Sequence, residues 1–74
     1  MHKYDQVIAA LDDYCSDREE TLEAREQRLN APSAPIRQAL TDPKGVVLNR
    51  NIKLILFELQ IGTEEFRPYL EGRS

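Results

Sequence analysis

Arg18 and Arg25 sit seven residues apart on what reads as the apolar seam of a helix, at positions where leucine would be ordinary. Tyr4, Ile8, Leu11, Cys15, Leu22 and Leu29 recur at alternating four- and three-residue steps, and the two arginines fill the gaps. Neither has an acid three or four residues away, so their carboxylates must come from elsewhere. One reading is contact with acids on a partner chain or with a bound anion. The other is a solvated helix end whose arginine stems lie over apolar neighbours.

Other reactive side chains are sparse. Cys15 lies on the seam with no histidine or basic cluster beside it, which marks a small core residue rather than an activated thiolate. His2 is the only histidine, so a zinc-type ligand set is not expected. Asp12, Glu19, Glu23 and Glu26, with Asp13, Asp17 and Glu20 nearby, read as a solvated acidic face, and acid–base chemistry would require a cleft that shifts their pKa values. Three glycines supply no phosphate-cradling loop or nucleophile elbow. The expectation is a chain without catalysis, cofactor or metal.

A basic neighbourhood spans Arg37, Lys44, Arg50 and Lys53, joined by Asn49 and Asn51. Two short helices around Thr41-Asp42-Pro43 would then resemble a helix-turn-helix, making a small nucleic-acid-binding transcriptional regulator the alternative function. The charge balance argues against it. Residues 1–30 hold eight acids and four bases, 31–57 one acid and four bases, and 58–74 four acids and two bases, for a net charge of −3. Phosphate-binding proteins normally carry a basic surplus.

The elements that must position these residues are helical. With no Gly or Pro, 4–29 predicts one long helix, its first half well buried and its second half projecting or more weakly packed. Pro32 and Pro35 break it. Ser33 can cap a short second helix with Ile36, Ala39 and Leu40 on one face. Asp42-Pro43 opens a third, running to about Ile61, with Gly62 at its C-terminus. That helix is apolar on several faces, leaving a polar strip at Asn49, Lys53 and Gln60 flanked by Arg50, Asn51 and Glu58. Residues 46–61 are also rich in strand formers, and a hairpin turning at Asn49-Arg50-Asn51 is the alternative, though the run exceeds a usual strand length. A C-terminal turn after Thr63, limited or distorted by Pro68, returns Phe66, Tyr69 and Leu70 onto the third helix.

The chain therefore reads as a single all-α domain over 1–74, a small bundle of three to four helices: long first, short second, apolar third and a short C-terminal turn. At 74 residues a private core is marginal, and one cysteine excludes an intrachain disulfide. No stretch resembles a signal peptide or approaches the ~20 apolar residues of a membrane span, so a cytoplasmic protein is expected. The surplus apolar surface predicts obligate association with itself, as a homo-oligomer, or with another protein. The expected function is a non-catalytic protein–protein interaction module, such as an adaptor, co-chaperone, inhibitor or complex subunit. Its expected contact surface is Leu48, Ile52, Ile55, Phe57, Leu59 and Phe66, with Leu22 on the seam and Arg18 and Arg25 as charged specificity points.

Overall fold

The computed structural model describes residues 3–31, 38, 44 and 46–72, and among these the chain is all-α. The four helices are α1 (Lys3–Ser16), α2 (Leu22–Arg28), α3 (Asn49–Glu58) and α4 (Thr63–Leu70). Residues 46–61 form no hairpin: the larger part is helix α3, and Val47 alone takes a bridge position.

The helix expected over 4–29 is two helices. Its break needs neither Gly nor Pro, because Glu19 adopts the left-handed conformation at φ 61°. There the Glu20 N–H donates to Cys15 O at 3.1 Å and the Glu19 N–H to Ser16 O at 3.0 Å, the crossed pair of bonds that closes a Schellman motif. Thr21 then caps α2, its Oγ1 accepting from the Ala24 N–H at 3.0 Å. The acids around this cap favour a helix N-terminus, where they meet the positive end of the macrodipole. The bend resets the helical phase. Instead of projecting, α2 buries Leu22, Arg25 and Glu26, so Glu26 leaves the acidic face on which Asp12, Glu19 and Glu23 remain exposed.

The same motif recurs. Asn30 (φ 55°) ends α2, with Ala31 N–H to Glu26 O at 2.8 Å and Asn30 N–H to Gln27 O at 3.2 Å. Gln60 (φ 56°) ends α3, with Ile61 N–H to Leu56 O at 2.8 Å and Gln60 N–H to Phe57 O at 3.1 Å. Gly62, expected to end the third helix, instead N-caps α4 with extended backbone at φ −67° and ψ 135°. Helix α3 also starts later than Pro43. Leu48 is its N-cap at φ −103° and ψ 142°, and Val46 and Val47 stay outside it, as β-branched residues favour. The expected short second helix lies, apart from Gln38, outside the described residues.

One core joins all four helices. It comprises Val7, Ala10, Leu11, Tyr14 and Cys15 of α1, Leu22 of α2, Ile52, Ile55 and Leu56 of α3 and Phe66 of α4, with Ala31, Leu59 and Ile61 from the connecting turns. The C-terminal segment is a full helix of eight residues that accommodates Pro68. It packs chiefly on α1 rather than on α3 alone: the Tyr14 and Tyr69 rings meet edge to face at 5.5 Å, and the Tyr69 hydroxyl donates to Asp17 Oδ2 at 2.5 Å.

Side chains other than glycine are strained in left-handed geometry. Gln60→Gly and Glu19→Gly, both at exposed positions, are expected to stabilise the fold by about 1 kcal/mol each, read as a rise in thermal midpoint. Ala at either position should give no comparable gain, since it relieves none of the left-handed strain.

Candidate functional site

The seam arginines find their acids within the chain. Arg25, 8% exposed, has all three guanidinium nitrogens engaged: Nε donates to Leu59 O at 2.8 Å, Nη2 to Gln60 O at 3.1 Å and Nη1 to Glu20 Oε1 at 2.8 Å. It thus supplies donors to the C-cap carbonyl of α3 and to the one after it while paired with a carboxylate from the α1–α2 turn. Arg28 shares that carboxylate at 3.1 Å. Arg18 stacks on the Tyr14 ring with Cζ 3.5 Å from the centroid, donates to Tyr14 O at 3.2 Å and pairs with Glu65 Oε2 at 3.5 Å. Arg25 is therefore a strut of the fold, while Arg18 joins α1 to α4 at the surface.

The nearby titrations are structural too. Burial pushes the Cys15 thiol up, opposed by Arg25, so the sulfur stays protonated and inert. Burial likewise raises the Tyr14 hydroxyl, with Arg18 pulling the other way and Glu65 reinforcing the rise, and the phenol donates to Glu65 Oε2 at 3.3 Å. No group of three or more His, Cys, Asp or Glu gathers as metal ligands among the described residues. No helix among them is long and apolar enough to cross a membrane.

The apolar contact surface expected from the sequence is largely turned inward. Leu22, Ile52, Ile55, Leu59 and Phe66 are buried and Leu48 is half-buried, so these residues hold the monomer together rather than face a partner. Only Phe57 of that set points outward, at 81% exposure, and beside it stands Leu54 at 58%, outside the surface that the sequence predicts. Three residues apart, they lie on one face of α3 opposite Ile52, Ile55, Leu56 and Leu59. The two sets fall on opposite sides of the helical wheel, and packing decides which side is covered. Of the basic group, Arg50 and Lys53 are exposed on α3 beside Leu54 and Phe57, Lys44 is exposed, and Arg37 lies outside the described residues. The outward face of α3 is the candidate site: a short apolar ridge flanked by Arg50, Lys53 and Glu58.

Replacing Arg25 leaves two carbonyls without their donor and Glu20 with Arg28 alone, so Arg25→Ala should cost about 2–4 kcal/mol in chemical denaturation. Arg25→Lys should recover little, because an ammonium cannot span the three acceptors as the planar fork does. The Glu20 carboxyl is held below its ordinary value by the hydrogen bond from Arg28, against burial and with help from Arg25. A carboxyl depressed on folding stabilises fully above its unfolded pKa, and that contribution is lost as pH falls through the folded value. Denaturation midpoints measured from pH 7 downward should therefore fall less steeply below about pH 4.5 in Glu20→Gln than in the parent, from a lower starting point at neutrality.

The chain matches no protein-family model, no curated protein and no solved structure.

Proposed function

We propose that the chain is a non-catalytic protein–protein interaction module that binds through the outward face of α3. The observation that carries this reading is the exposure of Phe57 beside Leu54 on a helix whose opposite side is buried in the core. Surface leucines are common singly, but an aromatic ring at 81% exposure next to a second large apolar residue forgoes the ~25 cal/mol per Å² that burial provides. Aromatic side chains are also the usual anchors of protein interfaces. Arg50 and Lys53 border the ridge and fit the polar rim that surrounds such anchors. A single thiol, Cys15, buried and unpaired with another cysteine, is consistent with work in a reducing compartment such as the cytoplasm.

The test separates fold from binding. Leu54→Ser and Phe57→Ser should leave stability within about 0.5 kcal/mol of the parent, whereas Ile55→Ser should unfold it or nearly so. With a photoreactive benzoylphenylalanine replacing Phe57, irradiation in cells should give a discrete covalent adduct that disappears when Leu54→Ser is added. The same group replacing Gln27, exposed on α2, should give none. Absence of any adduct from position 57 would sink the reading.

A further inference from the structure

We infer that the occupant of this face is a second copy of the chain, docked by antiparallel pairing of α3 with α3 across a two-fold axis; the inference rests on the reading of the α3 face as an interaction surface. The reason is self-complementary charge. Arg50 lies four residues before Leu54 and Glu58 four after it, so Arg50, Leu54, Phe57 and Glu58 share one stripe along the outward side of α3. Arg50, Lys53 and Glu58 are exposed, and none makes an ion pair with a described residue.

A two-fold axis at Leu54 reverses the second helix. The basic N-terminal end of one stripe then meets the acidic C-terminal end of the other, with Arg50 opposite Glu58 of the partner subunit and the same contact repeated by symmetry. Leu54 and Phe57 of the two copies close the middle, removing both from water. The helix dipoles also run antiparallel in this arrangement. A parallel pairing would instead set Arg50 against Arg50 and Glu58 against Glu58. The isologous patch pairs with itself and closes at two copies, so it builds a dimer and no filament.

The size of the patch sets the strength. Ten helical residues extend about 15 Å, and a contact of that length buries less than the ~1,000 Å² of a stable interface. The dimer is therefore reversible, filling only as the chain is concentrated.

Sedimentation velocity on the purified chain from micromolar to about 1 mM should show a monomer–dimer equilibrium. Arg50→Glu and Glu58→Arg should each weaken it roughly tenfold by setting like charges together, and the double exchange should restore it, because the reversed pairs are again opposite in sign. Circular dichroism should report unchanged helicity in all three. As a second readout independent of charge, Leu54→Cys should form an intersubunit disulfide on mild oxidation, and Gln27→Cys should not. A parent that stays monomeric throughout, or a dimer indifferent to both charge reversals, would overturn the inference. A monomeric parent that still gives a heterologous adduct from position 57 overturns the self-pairing and leaves the interaction module standing; no adduct removes both.

Discussion

Arg25 ties together parts of the chain that no run of sequence connects. Its guanidinium holds the α1–α2 turn through Glu20 and the end of α3 through the carbonyls of Leu59 and Gln60. A helix C-terminus has carbonyls with no intrahelical donor, and where that end is packed against protein rather than water they require one. Arginine suits the task, since its planar fork presents several donors at once and its charge faces the negative end of the helix dipole. Glu20 then balances the buried cation and is shared with Arg28, which keeps the group from being an uncompensated charge. With this junction in place, Leu22 of α2 and Leu59 of the α3 end can both enter the core.

The size of the chain explains why so much rests on turns. A domain this small gains limited stability from burial and must keep its connections short. The turns after α1, α2 and α3 use the same crossed hydrogen bonds, each through a residue other than glycine in left-handed geometry. In the α3 turn the residue that follows, Ile61, enters the core, so the turn both ends the helix and delivers an apolar side chain. Tight reversals let one core draw on all four helices. The strain at Glu19 and Gln60 is the accompanying cost.

Against this economy the outward side of α3 stands apart. Ile52, Ile55, Leu56 and Leu59 meet the core, while Leu54 and Phe57 remain exposed between charges that make no ion pair with a described residue. The tyrosine–arginine cluster of Tyr14, Arg18, Glu65 and Tyr69 is of the opposite kind: its polar atoms meet one another and join α1 to α4. The tyrosine–arginine cluster is satisfied within the fold, whereas the α3 ridge stays exposed.

By itself the sequence determined the class of the molecule. Apolar steps of three and four residues specify helices, and the described residues fold as an all-α domain. These are local properties, carried by neighbours a turn apart. The tertiary structure decided what depends on distant residues. The break at Glu19 was hidden because neither glycine nor proline marks it; it persists because the bend lets Arg25 reach Leu59, 34 positions away. That bend changed the phase of α2, turning Glu26 inward and giving Arg25 an acid from Glu20, five residues before it and outside the helical spacing. Packing of α3 against the other helices buried Ile52, Ile55 and Leu59 and left Leu54 with Phe57 outside. Periodicity specifies the stripes on a helix, but only packing against other helices decides which stripe is covered.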